Sequence, residues 1–240
     1  MQDAVGVIGG VGPMATAYFM ERVIDMTEAS CDQEHINMLI YNHCAIPDRT
    51  AYITGDSQAN PLPVMIDDAR QMETAGCRFI VIPCNTAHYF FDEIQAAVHI
   101  PVVNIVRETI RYATEVTKAL KCVGILATNG TIVSGTYQKY AEEAGLSWVA
   151  PDEVGQKEVM RMIYDGVKAG RPVDKADFDR VADGLRAKGA QCLLLGCTEL
   201  SVLKRKLPIT DADVLDSIDV LARTTVLGAG KTLSKEGRSL

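Results

Sequence analysis

Short runs that are apolar throughout alternate along this chain with longer segments of helical period, and this alternation limits the possible folds more than any other feature. The runs read as strands over 4–8, 37–41, 79–82, 102–104, 122–127, 148–149, 192–195 and 214–215. The helical patterns cover 13–29, 60–75, 105–120, 132–144, 153–168, 175–188 and 218–227. A strand with one wet face would alternate apolar and polar residues. These do not, so both faces are buried and the expected class is α/β, with parallel sheets covered by helices.

The pattern also repeats. Val5-Gly6-Val7-Ile8-Gly9-Gly10-Val11-Gly12 aligns with Val123-Gly124-Ile125-Leu126-Ala127-Thr128-Asn129-Gly130. Two similar doubly wound (Rossmann-like) domains are expected. The first takes residues 1–105 and regains 208–228, and the second takes 106–207. The polar tail, 229–240, is expected to fray. No low-complexity linker separates the halves, so a cleft between them is the expected site.

Each half sends one apolar run into a cysteine loop. Phe79–Ile82 leads to Pro83-Cys84-Asn85-Thr86-Ala87-His88, and Cys192–Leu195 leads to Gly196-Cys197-Thr198-Glu199-Leu200. Loops at the carboxyl ends of parallel strands are where such sheets place ligands. A single cysteine there reads equally well as packing or as a nucleophile. Two at matching positions suggest facing thiols able to move a proton from one face of a carbon to the other. Cys77, Cys122 and Cys192 sit at strand starts and read as small core residues.

The chain has 240 residues and seven cysteines, an odd number without CxxC pairs. Reduced thiols in a cytoplasmic protein fit that usage better than disulfides or zinc. A net charge of −7 without a basic cluster argues against nucleic-acid partners. No apolar run approaches the length of about 18 residues that suggests a membrane span.

Three further loops offer polar groups. Gly9-Gly10-Val11-Gly12-Pro13-Met14 opens the first helix, where glycine backbone and a helix N-terminus suit a small carboxylate. A glycine turn needed only for packing is the second reading. A dinucleotide is the third, disfavoured because the next strand ends in Asn42-His43 and not in an acidic residue. Thr128-Asn129-Gly130-Thr131 is the equivalent turn of the second half and reads either as a cap, with Thr131 before the helix, or as carboxylate-binding hydroxyls. Arg49 can hold a carboxylate in a bidentate pair, or it can lie in a surface ion pair, and Lys157 has the same two readings. His88 and Glu199 each follow a loop cysteine closely enough to tune it or simply to pack.

Taken together, these motifs resemble one family. Gly-Gly-Val-Gly-Pro-Met-Ala-Thr at 9–16, Asn42-His43, Pro47-Asp48-Arg49-Thr50, the Cys84 loop and Gly196-Cys197-Thr198-Glu199 are similar to aspartate racemases of the cofactor-independent aspartate/glutamate racemase superfamily. The resemblance spans about residues 5–228. It implies an interdomain site, no pyridoxal phosphate or other cofactor, no metal, an acidic amino acid as substrate, and a homodimer. By matching positions, Cys84 and Cys197 are the catalytic thiols. Asn85, Thr86, Thr128, Thr131 and Thr198 hold the α-amino and α-carboxylate groups, with Met14 nearby. Arg49 and Lys157 hold the side-chain carboxylate. Cys44 and Leu221 depart from the family pattern, which leaves substrate choice open. A glutamate or broad-range racemase, a maleate-type isomerase and a non-catalytic amino-acid-binding protein are the competing readings.

Overall fold

The computed structural model describes residues 3–240. Ala4–Gly9 (β1) is buried at every position, as its apolar run requires. It pairs in parallel with Met38–Asn42 (β2) on one side and Cys77–Val81 (β3) on the other, and Val102–Val103 (β4) adds to β3. Cys122–Leu126 (β5), Ser147–Val149 (β6), Cys192–Leu195 (β7) and Val214–Asp216 (β8) repeat the arrangement. The two sheets run β2-β1-β3-β4 and β6-β5-β7-β8. The repeat in the sequence is therefore a repeat in topology, with equivalent strands at equivalent sheet positions.

Helices Pro13–Met26 (α1), Ile105–Val116 (α5) and Ser217–Gly228 (α11) pack together between the sheets. Phe19, Ile110 and Leu221 from these helices share one buried cluster with Val7, Val81, Ile125 and Leu194 from both sheets. The core is thus continuous across the halves, and each fully buried side chain of this size contributes about 1.5–3 kcal/mol. Separate clusters lie on the outer faces, under Leu62–Thr74 (α3) in the first half and under Lys175–Ala187 (α9) in the second.

Strand β8 does not return to the first half as its place in the sequence suggested. Val214, Leu215 and Asp216 pair with Leu193, Leu194 and Leu195, completing the second sheet at the edge equivalent to β4. Only α11, which follows it, crosses over to lie against α1. The tail is not frayed either. Glu28 N donates to Thr232 O at 2.9 Å, Ser234 N donates to Met26 O at 2.8 Å, and Leu233 is buried against the α1 end. Ala229 and Leu240 pack against the same core cluster, so a few apolar residues in a mostly polar segment dock it.

Short helices cover the loops at the carboxyl ends of the strands. They are Arg49–Ile53 (α2), Phe91–Ala96 (α4), Asn129–Ser134 (α6) and Thr136–Glu143 (α7). The pattern over 132–144 is two helices because Gly135 takes a left-handed φ of 68° between them. Glu153–Arg161 (α8) continues into a π-helical stretch, Met162–Lys168, and Thr198–Lys206 (α10) follows β7. Among the described residues no helix is long and apolar enough to cross a membrane.

Candidate active site

Strands β3 and β7 end three and two residues before a cysteine, so the parallel sheets carry Cys84 and Cys197 to the same end of the molecule. Both thiols line one narrow cleft between the halves, together with Val11, Asp48, Arg49, Thr50, Asn85, Thr86, Thr128, Tyr164, Lys168, Thr198 and Glu199. Asp48, Arg49, Lys168 and Glu199 also line an adjoining pocket of ≈ 410 Å³, to which Gly10, Gly12, Met14 and Cys44 contribute.

Backbone and buried polar groups fix the Cys84 loop. Cys84 N donates to Ile82 O at 2.7 Å. His88 Nδ1 lies 2.8 Å from the Cys84 carbonyl, and Ile105 N lies 3.3 Å from His88 Nε2. Nε2 lies 3.3 Å from the Val103 carbonyl as well, so whether it accepts from Ile105 N or donates to Val103 depends on the tautomer. Burial pushes the His88 pKa down, against the raising effect of the Cys84 and Val103 carbonyls. His88 therefore braces the loop through its backbone. Asn85 is braced as well, donating to Ser217 Oγ at 2.9 Å and accepting from the Tyr137 hydroxyl at 2.8 Å. Ser217 in turn donates to Leu195 O at 2.7 Å, which ties the Cys84 loop to the end of β7.

Cys197 is extended at the start of α10 and buried. Its thiol donates to Glu199 Oε2 at 3.1 Å. Burial raises the thiol pKa well above the usual cysteine range, Glu199 raises it further, and Lys168 opposes both.

Hydroxyls from both halves meet beside the thiols. Thr50 donates to Thr128 at 3.1 Å, while Thr86 lies 3.0 Å from Thr128 and 2.9 Å from Thr131. Thr128 also caps α6, accepting from Thr131 N at 3.3 Å, so the cap is Thr128 and not Thr131. The halves approach closely here because residue 130 is glycine: a Cβ on it would stand 2.9 Å from Thr50 Cα. Hydroxyls that can each donate or accept suit a carboxylate whose charge changes during a reaction.

Two cations face the cleft. Arg49 is buried, with Nη1 donating to Ile46 O at 3.3 Å and to Pro47 O at 3.0 Å. Its Nε–H is buried without a partner. A buried guanidinium with a spare donor can take an anion. The second cation is Lys168, whose Nζ lies 3.5 Å from Asp48 Oδ2 and 4.2 Å from the Tyr164 ring centroid. Burial lowers the Lys168 pKa, but Glu199, Tyr164, Cys197 and Asp48 together raise it more. Asp48 is held below its ordinary range: burial is outweighed by the Ala51 N–H, Lys168 and Arg49.

Lys157, the cation expected from the sequence, is elsewhere. It is exposed and pairs with Glu153 at 2.7 Å on the outer face of α8. It lies two residues from buried Val159, roughly 200° around the helix. The π-helical turns that follow change the phase and bring Tyr164 and Lys168 to the cleft, a common use of such turns. Met14 is exposed at the wider pocket, and Thr198 is buried in the cleft. Sequence reasoning also missed Thr50, although it closes the Pro-Asp-Arg-Thr motif.

The model of the Asp/Glu/Hydantoin racemase family matches residues 8–225, which include both cysteine loops and every strand except the start of β1. The chain belongs to this family. Among solved structures it is similar to the aspartate racemase of Picrophilus torridus, with 32% identity, a TM-score of 0.82 and 98% of each chain covered. It is 29% identical over 231 residues to the broad specificity amino-acid racemase RacX of Bacillus subtilis (strain 168), covering 92% of this chain and 96% of that one. It is also 29% identical over 167 residues to a glutamate racemase of Corynebacterium glutamicum, covering 67% of this chain and 60% of that one. The two-sheet α/β fold of the family is the fold described above.

Proposed function

We propose that the chain racemises an acidic amino acid, aspartate first, by proton transfer between Cys84 and Cys197 without pyridoxal phosphate. The observation that carries this reading is the presence of both thiols in one cleft, beside the hydroxyl cluster and two cations. One thiolate removes the Cα proton and the other thiol returns a proton to the opposite face. Thr50, Thr86, Thr128 and Thr131 receive the α-carboxylate and stabilise the charge that develops on it. Asn85 and Thr198 complete that end. Arg49 takes the side-chain carboxylate through its free Nε–H, and Lys168 replaces Lys157 as its partner. Met14 borders the wider pocket. A cleft this narrow holds little water, which strengthens each of these interactions.

A broader substrate range is the second reading. The ≈ 410 Å³ pocket adjoins the thiol cleft and has room for side chains longer than that of aspartate. The RacX relative supports the same reading by its name. The resemblance in the motifs also implies a cytoplasmic homodimer, which sedimentation at micromolar concentration tests.

The substrate is identified by incubating the protein in D₂O with single L- and D-amino acids and following chirality. Aspartate turning over at least tenfold faster than other substrates supports the first reading. Comparable rates with longer or neutral side chains support the second, and no inversion of any amino acid contradicts both.

A further inference from the structure

Glu199 is 6% exposed, and its place is built by both halves. Its Oε2 accepts the Cys197 thiol proton at 3.1 Å. Any residue but glycine at position 12 would bring a Cβ within 2.9 Å of its Oε1, so the first-half turn is shaped around this second-half carboxylate. Glu199 lines the thiol cleft and the wider pocket alike, whereas Cys197 lines the cleft. The carboxylate thus connects a buried thiol with open space.

A two-thiol racemase has a problem that such a connection solves. Inverting one enantiomer leaves the base as a thiol and the acid as a thiolate. Before the same enantiomer can react again, one proton must leave the new thiol and one must reach the new thiolate.

We propose that Glu199 is the proton port of Cys197, exchanging its thiol proton with the wider pocket between turnovers. This rests on the two-thiol reading above. The Cys197 proton passes to the Glu199 carboxylate, leaving a thiolate and a carboxylic acid. The acid releases the proton to water in the pocket, and the Cys84 thiolate takes a proton from water, so charge balances over the cycle. The reverse sequence resets the enzyme for the other enantiomer. The titratable and charged groups around the pair are Lys168, Tyr164, Asp48, Arg49, Cys84 and Tyr137. Glu199 touches no reacting carbon, so it is a positioning residue acting through Cys197.

The test compares the wild-type protein with Glu199→Gln in two measurements. Racemisation is followed from one enantiomer at substrate concentrations from low to saturating. Iodoacetamide labelling of Cys84 and Cys197 is read by mass spectrometry across pH. The port predicts that Glu199→Gln slows net conversion about tenfold or more at saturating substrate, where resetting of the free enzyme limits the rate, and less at low substrate. It also predicts that Cys197 labels at a pH about one unit or more lower, while the Cys84 profile moves less. Gly12→Ala, which pushes Glu199 aside, should reproduce both changes if Glu199→Gln does not fold. Wild-type racemisation with unchanged kinetics and labelling in both variants would overturn the port alone. Absence of racemisation in the wild-type protein would overturn the two-thiol reading beneath it.

Discussion

The Thr50 hydroxyl donates to Thr128 Oγ1 at 3.1 Å, joining the N-terminal turn of α2 in one half to the cap of α6 in the other. A bond between the loop after β2 and the loop after β5 holds the hydroxyl cluster to a single geometry. It also means that the hydroxyl cluster, the proposed carboxylate-binding end of the site, is complete only when both halves are docked.

Thr128→Val removes this bond and the cap while keeping the shape. The loss should cost about 1–2 kcal/mol of stability, from the cap and from hydroxyls left without a partner. It should lower kcat about tenfold or more, because the lost donor faces the developing charge. Urea unfolding and racemisation rates check the two effects separately.

Arg49→Ala should raise KM for aspartate by about ten- to a hundredfold, as loss of a hydrogen bond to a charged group costs about 1.5–3 kcal/mol. Turnover of alanine should change far less. Equal losses for both amino acids would remove Arg49 from the side-chain site.

Lys168→Ala should reproduce the Arg49 effect on acidic substrates, and Lys157→Ala should leave kinetics and stability within experimental error. Lys157 is exposed in an i,i+4 pair, a class worth a few tenths of a kcal/mol at most. Steady-state kinetics of the two variants on one acidic substrate decides between the cations.

Asp216 carries a pH signature. Burial, then the nearby charge of Asp219, raises its pKa to about 6, although Lys204, Ser201 and Ile218 N oppose this. Its Oδ2 is buried without a partner. A carboxyl whose folded pKa exceeds the unfolded value binds more protons when folded. Its stability contribution is therefore complete below the unfolded value of 3.8 and is lost as pH rises through about 6. Asp216→Asn should be less stable than the wild-type protein near pH 4 and should recover, relative to it, by roughly 2–3 kcal/mol near pH 7. Urea midpoints at the two pH values measure this.

The sheets were legible because strands buried on both faces carry their signature residue by residue, as β1 and β7 do. The assignment of β8 failed for a topological reason: Val214-Leu215-Asp216 shows that a strand exists but not which sheet edge it joins. Helix α10 went unread because Thr198–Lys206 ends in Lys-Arg-Lys and has only Leu200, Val202 and Leu203 to mark a buried face.

At the site, the cleft positions of Cys84, Cys197, Arg49 and the threonines other than Thr50 were legible from loop position, since a parallel sheet delivers such loops to one end. Lys168 was not, because regular helical periodicity does not anticipate the π-helical phase change after Arg161. The role of His88 was also beyond the sequence. Only its 2.8 Å contact with the Cys84 carbonyl separates a loop brace from a thiolate partner.

The two-thiol account is tested most directly by racemisation of single enantiomers in D₂O by the wild-type, Cys84→Ala and Cys197→Ala proteins, with no pyridoxal phosphate added. The account predicts inversion with Cα-deuterium incorporation by the wild-type protein and no inversion by either variant. Full inversion by either single-cysteine variant, with correct folding confirmed by its urea midpoint, would contradict it.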